Sequence, residues 1–373
     1  MKTKLFRYLY CFFIILLFVS SCDKSPAESE LTFGEQIDEI AKRYFKVGMM
    51  VGIINSDQEK MIFSYGTKVR GTVDAPDENT VFDIGSMTKT FTSLLVADSF
   101  LNGGFTDDTV SHYLPETVNL PTLNGSPIRI GHLTTHTSGL PRTPHADGQT
   151  YPVPDGFNSL NPYEHYVAED VYDYLTNYCT LIFEPGTWWE YSNTGFGLLG
   201  HLAGLVNNST YKDVLQDKIF DELDMNRSSV FLNNDQLTNY SLGYDTGLQN
   251  VPYFVANDIF QGAGFIKSNL SDLFKYLEAQ MGLSETILSN AVELTHQPLM
   301  HQGSMGEQAM AWFIQTLDDG QTIIYSGGDT IGHSSYIGFN KTTSTGVIIL
   351  SNGAMHGPQL TMGPEILEVI AQY

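Results

Sequence analysis

Positive charge is scarce in this chain: 19 Lys and Arg stand against 42 Asp and Glu over 373 residues, a formal net charge of −23. No run of basic residues offsets the excess. Nucleic acid and anionic membrane faces are thereby excluded as main partners, because a polyanion is repelled across most of the surface. Cysteine is almost absent. Of the three present, Cys11 and Cys22 belong to the N-terminal region, and Cys179 stands alone in a helical pattern with Val171, Tyr174, Leu175 and Tyr178. Cys179 reads as a small buried hydrophobe, and the mature chain has no partner with which to form an internal disulfide. Long apolar runs are also missing, since Leu5 to Val19 is too short for a comfortable membrane span. Proline is limited to 15 residues, while 42% hydrophobic and 12% aromatic residues exclude a disordered or low-complexity chain. No internal repeat is visible.

What the N-terminus does hold is a processing signal. Lys2, Lys4 and Arg7 precede the apolar stretch, which ends Leu17-Phe18-Val19-Ser20-Ser21-Cys22. Small residues just before a cysteine resemble the lipobox of bacterial lipoproteins. The resemblance implies cleavage of residues 1–21, diacylation of Cys22, and a cell-envelope location, periplasm-facing or at the surface. Removing three basic residues leaves the mature chain at −26. Residues 22–31 are polar and aperiodic, as suits a flexible tether, and 32–373 remain as one domain.

Within that domain Phe33, Ile37, Ile40, Ala41 and Tyr44 fall at helical spacing, and Val47–Ile54 and Lys60–Tyr65 flank a polar turn as a β-hairpin. Phe91, Leu94, Leu95 and Leu101 mark a helix apolar nearly all round, hence central. Pro141 to Ala168 lacks a period and reads as a substrate-shaping loop. Helices are expected at Val171–Tyr178, Gly197–Val206, Tyr211–Leu223 and after Ser271. Strands are expected at Met310–Thr316, Thr322–Tyr325, Ser335–Phe339 and Thr345–Leu350, with a last helix over Pro364–Ala371. Strands at both ends and helices between predict an α+β fold: an antiparallel sheet completed by both termini, flanked by helices, with an inserted helical lobe.

Ser86-Met87-Thr88-Lys89 opens the central helix just after the strand-like Val81–Ile84. Serine and lysine three apart share one helical face, so the amine can reach the hydroxyl. That matters because serine is a weak nucleophile until a base takes its proton. A helix N-terminus also aims free N–H groups at a developing oxyanion. Alone, the tetrad is equally a helix-start serine with a solvated lysine. A second cluster, Tyr191-Ser192-Asn193, follows Phe183-Glu184-Pro185-Gly186-Thr187 at the entrance to the next apolar helix. It offers a phenol and an amide, or simply an N-cap with a packed tyrosine.

Taken together and in this order, these motifs resemble the serine β-lactamase-like family: class C β-lactamases, D-alanyl-D-alanine carboxypeptidases, D-aminopeptidases and related esterases. The likeness extends to His132-Leu133-Thr134-Thr135-His136-Thr137-Ser138-Gly139-Leu140-Pro141, to Gly262–Ser268 with Ser271-Asp272-Leu273, and to Tyr325–Ser335. It implies that Ser86 is acylated, that Lys89 deprotonates Ser86 and keeps Tyr191 acidified, and that Tyr191 relays protons. It further implies that Asn193 binds the acyl-side carbonyl or amide, that Ser326, Gly327 and Gly328 line the site, and that the N–H groups of Ser86 and Asp329 form the oxyanion hole.

One position departs from the family. Lysine or histidine usually opens the third motif, where this chain has Ser326. The missing cation, in an acidic protein, predicts neutral or cationic substrates, with Lys267 and His333 as possible substitutes. The expected function is an exported serine hydrolase acting on a small ester, amide or peptide. Alternatives are a β-lactamase proper and a non-catalytic penicillin-binding sensor, the latter opposed by the intact Ser86, Lys89, Tyr191 and Asn193. No cofactor or metal is implied. His132 and His136 are four apart but lack the glutamate of a zinc helix, and His145, His296, His301 and His356 have no partner at ligand spacing. Gly262-Ala263-Gly264 reads as a turn rather than a phosphate loop. Trp188, Trp189, Tyr151 and Tyr163 are candidates for the cleft or for packing. Oligomeric state is not legible.

Overall fold

A computed structural model describes residues 31–144, 153–158, 160–301, 306–317 and 320–373. The signal, Cys22, most of the tether, His145 and Tyr151 lie outside the described residues. Alternation at a period of two builds the central sheet. In β1 (Gly48–Ile54), Met49, Val51 and Ile53 join one apolar cluster while Met50 and Ile54 join another. The chain turns into β2 (Lys60–Gly66), an edge strand with only one face covered. After a long insertion come β3 (Met300–His301), β4 (Glu307–Gln308), β5 (Phe313–Thr316), β6 (Thr322–Asp329), β7 (Ser334–Asn340) and β8 (Thr345–Ser351). The order is β2-β1-β8-β7-β6-β5-β4-β3, antiparallel throughout. Met49 lies opposite Ser351 and Ile54 opposite Gly346, so both ends of the chain complete one sheet, as the pattern predicts.

Five helices frame the sheet and the site: α1 (Phe33–Tyr44), α2 (Thr88–Leu101), α3 (Asn193–Val206), α4 (Leu270–Met281) and α5 (Gln359–Ile370). A capping box starts α1: Glu35 N–H donates to the Thr32 hydroxyl, and Thr32 N–H donates 2.8 Å to the Glu35 carboxylate. α1 and α5 cover the face of Val51 and Ile349, burying Ile37 and Ile366 there. α4, capped by Asn269 and ended by Gly282 in the left-handed region, covers the other face. Behind it runs α2, buried from Thr88 to Ser99, which fits its all-round apolar character. Among the described residues no helix is long and apolar enough to cross a membrane.

Several boundaries differ from expectation, among them the strand expected at Thr322–Tyr325, which runs on to Asp329, and the helix expected from Gly197, which starts at Asn193. α5 begins at Gln359, five residues before Pro364, because Met362 and Gly363 are packed against the sheet; this burial outweighs the one backbone bond that Pro364 cannot make. The expected Tyr211–Leu223 helix is a short α-helix to Leu215 followed by a π-type turn over Gln216–Phe220. The strand expected from Met310 starts only at Phe313, since Ala311 takes a left-handed φ of 62°.

Candidate active site

Ser86 lies on a tight 3₁₀ turn, Gly85–Met87, that joins the short strand Phe82–Asp83 to α2. Phe82–Asp83 pairs with Lys267–Ser268, and Ile84 N–H donates to Ile266 O, so the glycine-rich segment is fastened beside the turn. On the other flank the turn presses against β6. Gly85 has a left-handed φ of 52°, and a side chain there would strike the Asp329 backbone at 2.8 Å. Gly328 is tighter still, its missing Cβ falling 2.1 Å from Ile84 O and 2.6 Å from Ser86 N.

Lys89, one helical turn after Ser86, is almost fully buried, with Nζ 3.1 Å from Ser86 Oγ. It also donates 2.9 Å to Asn193 Oδ1 and bonds to the carbonyl of Ala263. Burial, with the nearby Arg142 charge adding to it, holds the amine well below the usual lysine range. Tyr191 OH donates 2.5 Å to Ser86 Oγ from the opposite side. Burial pushes this phenol up, outweighing its bond to Ser86 and the Arg142 charge. Here the geometry departs from the acidified tyrosine of the resemblance: Lys89 Nζ lies over the Tyr191 ring, 4.8 Å from its centroid, and not at its hydroxyl. An amine that is itself depressed toward neutrality does little to acidify a neighbouring phenol.

Asn193 is the first residue of α3, behind the Ser192 N-cap, whose hydroxyl accepts from Gly195 N–H at 2.9 Å. Its amide also donates 2.7 Å to Tyr163 OH. Ser86, Asn193, Tyr163, Phe254, Phe265 and Asp329 line a cavity of about 300 Å³. Tyr163 is thus in the cleft and also packed, against Phe260 and Phe265. Trp189 donates its indole N–H to Gln308, and Trp188 is largely exposed.

The third motif is partly corrected. Ser326 is buried and donates 3.2 Å to Ala311 O, and a side chain at Gly327 would meet Leu360 on the α5 face. Neither residue lines the cavity. Gly328 supports the turn that carries Ser86, and Asp329 alone of this run reaches the cavity wall. Lys267 and His333 do not replace the missing cation. Lys267 is fully buried, bonded to the carbonyls of Val230, Phe254 and Phe265, with burial lowering its pKa to about 8. His333 Nδ1 faces buried Asp83 at 3.5 Å and Nε2 donates to Ser241 O.

Two further residues belong to the site: His136, weighed in the sequence only as a metal ligand, and Arg142, which was missed there. His136 is buried against the Tyr191 ring, centroids 4.4 Å apart, and accepts from Ser192 N–H; burial holds it well below the usual histidine range, so it buttresses the tyrosine as a neutral ring. His132 instead accepts from Arg129 N–H. The second residue, Arg142, lines the cavity with its guanidinium 4.8 Å from the Tyr191 ring centroid. The available signal was a basic residue directly after the His132–Pro141 segment in a chain poor in cations. Among the described residues no cluster of His, Cys, Asp and Glu has the makings of a metal site.

A family model described as Beta-lactamase matches residues 35–369. A β-lactamase of Providencia stuartii is 27% identical over 70% of this chain and 64% of its own length, so the match spans just under two thirds of that protein. A β-lactamase of Pseudomonas fluorescens is 25% identical over 82% of this chain and 88% of its own length. The crystal structure of a β-lactamase/D-alanine carboxypeptidase from Pseudomonas syringae superposes with a TM-score of 0.75 at 23% identity, covering 90% of this chain and 98% of that one, a likeness of fold.

Proposed function

The chain belongs to the Beta-lactamase family of serine hydrolases, and on that premise we propose that it cleaves an ester or amide through an acyl-enzyme on Ser86. The observation that carries this reading is the double contact at Ser86 Oγ, with Lys89 Nζ at 3.1 Å and Tyr191 OH at 2.5 Å. A neutral Lys89 has two N–H groups, and Asn193 Oδ1 and Ala263 O take both. Its lone pair is then left facing Ser86, which gives its proton to Lys89 while accepting from Tyr191. Ser86 Oγ attacks the carbonyl carbon, and the N–H groups of Ser86 and Asp329 receive the oxyanion. Collapse breaks the bond to the leaving oxygen or nitrogen, which takes the proton that Ser86 gave to Lys89, with Tyr191 OH donating toward the departing group from beside the same oxygen. Water enters by the same relay in reverse, releasing the acid and restoring Ser86.

Peptidase or esterase action leads. β-Lactam hydrolysis, the activity in the names of two relatives, is the second reading, and acylation without turnover the third. The test incubates the domain with activated esters, D-amino-acid amides and a chromogenic cephalosporin, with Ser86→Ala as control. Turnover that vanishes in the variant supports the enzyme; the absence of both turnover and a mass adduct on Ser86 refutes it. We further propose export and lipid anchoring at Cys22, supported by the basic, apolar and small-residue order of residues 2–22. Labelling with a palmitate analogue is expected in the wild type and lost in Cys22→Ala; label retained in the variant refutes the anchor.

A further inference from the structure

The guanidinium of Arg142 has no evident structural duty. Arg43, Arg129 and Arg227 form ion pairs, and Arg70 donates to Leu248 O. Arg142 alone among the described arginines has neither an ion pair nor a side-chain hydrogen bond to a described residue. In a chain with 42 acidic and 19 basic residues, an arginine in a cavity with no carboxylate paired to it among the described residues calls for a ligand. Its backbone, by contrast, is held firmly. Arg142 O accepts from the N–H groups of Asn193 and Thr194 at 3.0 and 3.1 Å, at the open end of α3, and Pro141 O accepts from Ser192 Oγ. The segment that carries Tyr191 and Asn193 therefore also sets the position of Arg142. Its head is exposed and sits over Tyr191, whose hydroxyl touches the nucleophile.

His356 also lines the cavity and is exposed, but an imidazole lacks the two-pronged N–H fork of a guanidinium. The remaining charges near the cavity do not serve instead. Lys89 is enclosed by its three partners, and Lys267 and His333 are buried beneath the turn. Asp329 lies on the same cavity, but its carboxylate oxygens are taken by Ser334 Oγ and Gln359 Nε2, and it forms no ion pair with Arg142. A guanidinium resting over a ring keeps its N–H fork free for a planar carboxylate, which an ammonium cannot match in geometry.

We propose that Arg142 is the anion-recognising residue of this site, taking the part that Ser326 cannot, and that the preferred substrates carry a free carboxylate close to the scissile ester or amide. This rests on the serine-hydrolase reading above and reverses the expectation of neutral or cationic substrates. Recognition has moved from β6 to the loop bound to α3.

The test uses two matched ester pairs, each a free carboxylate against its methyl ester. One pair carries the group on the acyl side (nitrophenyl hydrogen glutarate), the other on the leaving side (carboxyphenyl acetate). In the wild type, kcat/KM is expected to favour the carboxylate member of at least one pair by about ten-fold or more. Arg142→Gln should bring that ratio to within about two-fold, and Arg142→Lys should restore part of it. Effects of Arg142 on Tyr191 or Lys89 change both members alike and cancel in the ratio. A readout without turnover separates this proposal from the nucleophile assignment: calorimetric binding of the same pairs to Ser86→Ala, alone and combined with Arg142→Gln. A carboxylate preference in Ser86→Ala that the double variant loses supports Arg142 even if no ester is hydrolysed. Equal binding within both pairs, or a preference that survives Arg142→Gln, overturns it.

Discussion

Replacing Gly328 by Ala drives a methyl group into the turn that carries Ser86. The added carbon would stand 2.1 Å from Ile84 O, 2.6 Å from Ser86 N and 2.8 Å from Met87 N. Ordinary contacts of carbon lie at about 3.5 Å, so β6 and the turn must separate by about 1 Å. Neither side yields easily. Ile84 is bonded to Ile266 and to Ser335, whose hydroxyl donates 2.7 Å to Ile84 O, and β6 is paired with β7 from Ile324 to Asp329. Overpacking of this kind costs about 1–3 kcal/mol of stability. The larger effect falls on chemistry, because the shift pulls Asp329 N–H away from Ser86 N–H, and misplacing a catalytic group by about 1 Å costs on the order of 10²-fold. Acylation by an activated ester, followed by stopped-flow absorbance and by the mass of Ser86, measures that loss; thermal unfolding measures the strain. If Gly328→Ala acylates within about two-fold of wild type, the close approach of β6 to the turn is not what aligns the oxyanion donors.

Lys89→Met leaves Tyr191 bonded to Ser86 but removes the base, and acylation is expected to fall by about 10²-fold or more; a normal rate of adduct formation would reassign the base. The pH profile follows from the lowered Lys89: the neutral amine is the active form, so the rate rises with pH through the depressed pKa and levels off before the ordinary lysine range. Arg142→Gln removes a like charge, raises that pKa and moves the limb to higher pH; an unchanged limb would show that Arg142 is too screened to act on Lys89. Lys267 carries a stability prediction. Its folded pKa is lowered from 10.5 to about 8, so the unfolded chain binds more protons here between those values and stability rises with pH across that window. Lys267→Met should flatten the slope in urea titrations; a slope that persists points to other groups.

Most of the architecture follows from local pattern. The hairpin of β1 and β2, the apolar α2 and the strands β6 to β8 were legible because burial on one or both faces imposes periods of two or near four on nearby residues. Two of the failures have long-range causes: at Pro364 packing against the sheet overrode a local signal, and at Ala311 hydrogen bonds to Thr134 O and from Ser326 Oγ hold the left-handed residue that delays the strand. In the site, Ser86 and Lys89 were legible as a pair because three residues of helix are enough to bring them together. Asn193 and Tyr191 entered through family likeness, since 105 positions separate Tyr191 from Ser86.

By itself, then, the sequence determined the antiparallel α+β plan, the pairing of Ser86 with Lys89, and the absence of a cation at position 326, all matters of residue identity and short spacing. Only the tertiary structure decided what faces the cavity and which way burial pushes its titrating groups. It turned Ser326 and Gly327 away, buried Lys267 and His333, depressed Lys89 and raised Tyr191, and set Arg142 over the tyrosine. Proximity between distant residues, and the dielectric that burial creates around them, arise from the whole packing and are written in no single segment.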